Sequence, residues 1–104
     1  MEISARLNQS QIQSINALCK KYYVRELHVF GSLLTSRFNK KSDVDFLVAF
    51  QKLDFGDYAD AYFGLADDLE ALLGRKVDLV TEKSLKNPYF IESVEKNKKL
   101  LYAA

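Results

Sequence analysis

The stretch Gly31-Ser32-Leu33-Leu34-Thr35-Ser36-Arg37-Phe38-Asn39-Lys40-Lys41-Ser42-Asp43-Val44-Asp45-Phe46-Leu47-Val48 joins a Gly-Ser turn to two aspartates with one residue between them. The aspartates open an apolar run that reads as a buried strand. Side chains alternate faces along a strand, so Asp43 and Asp45 point the same way, roughly 7 Å apart at Cα. Val44 and Phe46 point the other way. Two carboxylates on one face at a strand's edge suit a hard cation with oxygen ligands. A Gly-Ser turn nearby offers backbone N–H groups to phosphate. Metal and phosphate together point to nucleotide chemistry.

A second acidic signal lies downstream in Lys76-Val77-Asp78-Leu79-Val80-Thr81. Asp78 interrupts an otherwise apolar strand. A buried aspartate there is costly unless it is paired, hydrogen-bonded or bound to metal. If this strand neighbours the one that opens at Asp43, three carboxylates converge. Two divalent ions about 3.5–4 Å apart neutralise such a cluster and clamp the attacking and leaving oxygens of a phosphoryl or nucleotidyl transfer.

The flanking sequence supplies the scaffold. Asn8 caps a first helix, with Gln11 in capping-box position. Ile12, Ile15, Leu18, Cys19 and Tyr22 follow at helical spacing, and the helix ends near Tyr23. Alternation over 26–30 reads as a first strand, stopped by Gly31. Residues 33–38 read as a short helix and 39–42 as a polar loop. The second strand covers 43–50. Asp54 or Asp57 caps a long helix whose core face is Tyr58, Ala61, Tyr62, Leu65, Leu69, Leu72 and Leu73, with Gly74 as its stop. The third strand covers 76–81. Asn87-Pro88 opens a last helix, and Leu100, Leu101 and Tyr102 pack the tail. Helices alternating with strands imply an α/β or α+β domain, a small sheet with helices packed on it.

Composition narrows the class. The chain has 104 residues, 48% of them hydrophobic, with seven Phe and six Tyr. That suffices for one small domain with a core. The 15 basic and 14 acidic residues nearly cancel, so bulk charge gives no argument for direct nucleic-acid binding. No apolar run reaches membrane-spanning length, and the start shows no secretory signal. The single Cys19 reads as a reduced, buried residue of a cytoplasmic protein. His28 reads as a core or surface histidine, Lys40 and Lys41 as a loop beside the metal strand, and Tyr58, Tyr62 and Phe63 as core or partner surface.

The Gly-Ser turn, the Asp-Val-Asp twelve residues after Gly31 and the later lone Asp78 resemble the DNA polymerase β nucleotidyltransferase superfamily. The length and the ending Asn87-Pro88-Tyr89-Phe90-Ile91-Glu92-Ser93-Val94 resemble its minimal members, the MNT-type antitoxins of two-gene systems whose other half is an all-helical HEPN ribonuclease. The resemblance covers nearly the whole chain as a single domain, residues 1–104. It implies a small mixed sheet flanked by helices. It implies that Gly31 and Ser32 hold the β and γ phosphates of a nucleoside triphosphate, expected to be ATP. Asp43 and Asp45 would bind two Mg²⁺ ions. Asp78 would bind the catalytic ion and help deprotonate the attacking hydroxyl. Thr35 and Ser36 stand where many minimal members carry Arg and Gly, and Arg37, Lys40 and Lys41 lie close by to supply the positive charge.

Two functions follow from this. One is transfer of NMP, expected to be AMP, onto a hydroxyl of a macromolecule such as a HEPN-type partner. The other is an antitoxin that silences its partner by covering it, with a vestigial nucleotide site. All three carboxylates are present, as the enzyme requires. A chain of this length leaves no room for a small-molecule acceptor domain, so a macromolecular acceptor or a site shared across an oligomer is expected.

Overall fold

The computed structural model describes residues 7–30, 44–81 and 86–104. The first helix, α1 (Gln9–Lys21), starts where its capping chemistry dictates. Gln11 N–H donates to Asn8 Oδ1 (2.8 Å), and Asn8 N–H donates back to Gln11 Oε1 (3.0 Å). This reciprocal pair satisfies two donors that the helix itself cannot. Ile15 and Cys19 are buried on its inner face, with Ile12, Leu18 and Tyr22 packed beside them. Tyr23 then takes a left-handed backbone (φ 60°) and turns the chain into strand β1 (Val24–Phe30). β1 begins two residues before the expected start at Glu26. Val24 is fully buried and pairs with Phe50, so the core recruits it into the strand.

Strand β2 (Val44–Phe50) runs antiparallel to β1. Helix α2 (Phe55–Leu73) follows, then strand β3 (Val77–Thr81), which lies parallel to β2. Asp54 occupies the N-cap position of α2 but makes no side-chain cap bond. Asp57 sits in the first turn, where its charge suits the helix dipole. Gly74 ends α2 with φ 67°, a conformation that costs glycine nothing. Helix α3 (Pro88–Asn97) is capped by Asn87 with Pro88 in its first turn.

The tail departs from expectation. Leu100, Leu101 and Tyr102 do not simply pack; they belong to strand β4 (Lys99–Ala103), antiparallel to β1 at the sheet edge. Leu101 and Tyr102 reach the core, whereas Leu100 is 55% exposed. The sheet order is β3-β2-β1-β4, a mixed α+β sheet. One face packs against α1 and α2 through Leu27, Val29, Phe46, Val48 and Leu79. On the other face Val94 of α3 packs on Phe30 and Leu47, with Val80 alongside.

β3 is an edge strand, and α2 seals part of that edge. Lys76 O accepts the N–H of Val44, so by alternation Val77 and Leu79 turn their backbone groups away from β2. Val77 N–H donates to the Glu70 carboxylate (3.2 Å), and the Tyr62 hydroxyl donates to Leu79 O. Burial, chiefly, and then the charge of Asp78 push the Tyr62 hydroxyl above its ordinary pKa, so it stays a donor.

Helices α1 and α2 meet closely at Gly64. A Cβ there would lie 2.6 Å from Tyr22 Cε1, and the Tyr22 hydroxyl donates to Asp68. Gly64→Ala is therefore expected to displace that ring. The steric cost of about 1–3 kcal/mol is offset by about 1 kcal/mol of helix propensity. A urea melt should show a net loss of about 1 kcal/mol, and a gain in stability would contradict this packing.

Burial also pushes the Cys19 thiol up to about 12. A thiol reagent at pH 8 should label the folded protein only at the rate of unfolding. Because the folded pKa lies above the unfolded one, the thiol's contribution to stability is intact below about pH 9 and is lost progressively toward pH 12. Rapid labelling of native protein would show that Cys19 is accessible.

Candidate active site

The parallel register of β2 and β3 sets Asp45 opposite Asp78. Adjacent strands lie about 4.8 Å apart, and residues paired in register share a face, so the two carboxylates stand side by side. Asp45 is half-buried and Asp78 is exposed. On the other flank Phe30 is the cross-strand partner of Asp45. All three lie on the face that carries Leu47, Val80 and α3, opposite the main core.

Like charges directly across a strand pair repel. A hard cation between them removes that repulsion, and paired carboxylate oxygens are the donors such a cation prefers. The donor set thus fits a divalent ion such as Mg²⁺. Among the described residues no cluster of three His, Cys, Asp or Glu gathers. The third expected carboxylate, Asp43, lies outside the described residues, as do Gly31, Ser32, Arg37, Lys40 and Lys41 and the expected helix over 33–38. Chain connectivity relates them to the pair. Asp43 immediately precedes Val44, and Gly31 immediately follows Phe30, the partner of Asp45.

The apolar strand pattern predicts a costly, buried Asp78, but β3 is the sheet edge and Asp78 is exposed. No burial cost calls for a cation there. Its register with Asp45 is what points to one.

The remaining candidates separate cleanly. Cys19 is buried in α1 on the opposite face of the sheet, with its thiol held protonated. His28 pairs with Leu47 on the carboxylate face and lines a cavity under α3 with Glu26, Ile91 and Glu95. Tyr62 packs against the core, while Phe63 meets it edge to face and is 65% exposed. In the sequence Tyr89 and Phe90 stand out only as part of the ending that resembles the minimal members, with no role at the site. Phe90 nonetheless packs edge to face on Phe30, at 6.0 Å between ring centroids. Two adjacent aromatics in a first helical turn, only one of which can face a core, were the available signal.

Known proteins share this fold. A family model described as a nucleotidyltransferase domain matches residues 12–101. Protein adenylyltransferase MntA of Thermococcus cleftensis is 40% identical over 88 residues, spanning 80% of this chain and 86% of that protein. A crystal structure of a toxin-antitoxin with AMP-PNP aligns with a TM-score of 0.66 at 27% identity, covering 94% of this chain and 75% of that one. A tri-AMPylated Shewanella oneidensis HEPN toxin in complex with an MNT antitoxin aligns with a TM-score of 0.62 at 26% identity, covering 92% and 72%. The mixed sheet, its paired strand carboxylates and a family match running through nearly all of its elements agree: the chain belongs to the nucleotidyltransferase domain family, enzymes that transfer nucleotidyl groups.

Proposed function

We propose that this protein transfers AMP from ATP to a hydroxyl of a protein partner of the HEPN toxin type, releasing pyrophosphate, in the cytoplasm. The observation that carries the reading is the Asp45–Asp78 register at the end of the sheet where β1 leads into Gly31-Ser32. The relative named as a protein adenylyltransferase and the structures named for AMP-PNP and an AMPylated HEPN toxin support the choice of nucleotide and acceptor. No helix among the described residues is long and apolar enough to cross a membrane.

Asp43, Asp45 and Asp78 would hold Mg²⁺, two ions in this reading, which supply charge neutralisation and polarise the phosphoryl oxygens. Gly31 and Ser32 bind the β and γ phosphates through backbone N–H and hydroxyl. Arg37, Lys40 and Lys41 add positive charge at the leaving pyrophosphate. The acceptor oxygen forms its bond to the α-phosphorus in line as the bond from that phosphorus to the β-phosphate oxygen breaks. The electron pair leaves with pyrophosphate, and the hydroxyl proton passes to the Asp78 carboxylate. Asp78 suits that task because it is exposed on an edge strand, where an acceptor as large as a protein can reach it.

Asp45→Asn should lower turnover by about 10³-fold, the equivalent of several kcal/mol of transition-state stabilisation. The fold should be equally or slightly more stable without metal, because a like-charge pair is relieved. Near wild-type turnover would end the carboxylate assignment. Asp78→Asn separates catalysis from binding, because an amide keeps the shape but cannot accept the proton. With the partner, ATP and Mg²⁺, wild type should add the mass of AMP to the partner. Asp78→Asn should bind the partner and ATP without labelling it. An unmodified partner silenced equally by both proteins would favour an antitoxin that acts by binding alone.

A further inference from the structure

Phe90 stands on the carboxylate face of the sheet with one side packed and the other open. Its ring meets Phe30 edge to face at 6.0 Å, and 44% of the residue is exposed. Phe30 is the cross-strand partner of Asp45. Cross-strand partners share a face, with Cβ atoms about 5 Å apart, so a single ring, Phe30, stands between Phe90 and the Asp45 position. A base joined through its ribose to a phosphate beside Asp45 would meet this aromatic surface at the same end of the face.

The ring is also held in place before any ligand arrives. The Asn87 side chain accepts the N–H of Tyr89 (2.9 Å) and of Phe90 (3.3 Å), and Pro88 fixes the first turn of α3. Val94, one turn further on, anchors the helix to Phe30 and Leu47. The residues proposed for the triphosphate, Gly31, Ser32, Arg37, Lys40 and Lys41, serve phosphate, and none of them carries an aromatic face. A flat, preorganised aromatic at the same end of the face fills that gap, because every base presents a π-face to it.

We propose that Phe90 is the stacking platform for the base of the nucleoside triphosphate. The proposal rests on the nucleotide-transfer reading of the same site. Its rival is a purely structural role, in which Phe90 only fastens α3 to Phe30. The two are separated by a ligand that has the phosphates and lacks the base. Binding of ATP and of inorganic tripolyphosphate, each with Mg²⁺, is measured by calorimetry for wild type, Phe90→Leu and Phe90→Tyr. Leucine keeps an apolar contact on Phe30 but has no ring face. The expected result is about tenfold weaker ATP binding for Phe90→Leu, unchanged tripolyphosphate binding, and ATP binding restored in Phe90→Tyr. Equal loss of both ligands would assign Phe90 the structural role, and unchanged ATP affinity would also overturn the platform. If wild type binds tripolyphosphate as tightly as ATP, the platform fails while the transferase reading stands. If wild type binds neither, the nucleotide site fails and the platform with it.

Discussion

The in-register pairing of Val44 to Val48 with Val77 to Thr81 is the constraint on which the rest of the molecule depends. Alternation sends Val44, Phe46 and Val48, with Val77 and Leu79, into the core beneath α1 and α2. It sends Asp45 and Asp78 to the opposite face. A slip of one residue in either strand would reverse every side chain in it. A carboxylate would then lie under the helices, at a cost of several kcal/mol if unpaired, and core valines would face water. No described charged or polar residue is buried in the actual register. The apolar core therefore specifies the register, and the register specifies the carboxylate pair. Stability and the candidate chemistry are written into the same two strands on alternate residues.

Strand β1 flanks β2 on the side away from β3. It runs antiparallel to β2, so the end of β1 meets the beginning of β2, and Phe30 lies directly across from Asp45. The chain leaves β1 into Gly31-Ser32 at the end of the sheet where the acidic pair lies. That topology brings the chain that follows Phe30 to the same end of the sheet as Asp45 and Asp78. On the far side β3 is an edge, which leaves Asp78 open to solvent. An open edge invites pairing with other chains. Glu70 and Tyr62 of α2 occupy the outward backbone groups of Val77 and Leu79, so access to Asp78 is kept while strand addition is discouraged.

Much of this is legible in the sequence because it rests on local chemistry. The capping box of Asn8 and Gln11, the left-handed stop at Gly74 and the Asn87-Pro88 start of α3 each depend on neighbouring residues alone. The β strand at Lys99–Ala103 is not legible. Leu100-Leu101-Tyr102 is a continuous apolar run with no alternation, and its pairing with β1 is interrupted by a register shift between Leu27 and His28. The early start of β1 at Val24 follows from a partner, Phe50, that is distant in sequence. The exposure of Asp78 is likewise a matter of strand order, which local pattern does not encode. Its residue type and its strand are readable, and its place at the edge is not. Phe90 escapes for the same reason: its significance lies in what Phe30 pairs with, two elements away.

The exposures of the two carboxylates suit different tasks. Asp45 is half-buried between two paired strands, with Phe30 and Leu47 on the same face. A carboxylate in such a setting has little freedom and feels charges strongly, which favours fixed coordination over proton exchange. Asp78, one strand further out, is hydrated and reachable from outside the sheet. A group that must meet a hydroxyl presented by another macromolecule gains from that position, since the acceptor need not enter a closed pocket. The carboxylate face is covered by α3 at Phe30 and Leu47, while Asp78 on the outermost strand stays exposed. In the proposed reaction the nucleotide would then lie between a covered side, where Phe90 sits, and an open side, where the acceptor arrives. The order of strands, β3 outermost and β1 within, is what separates those two sides.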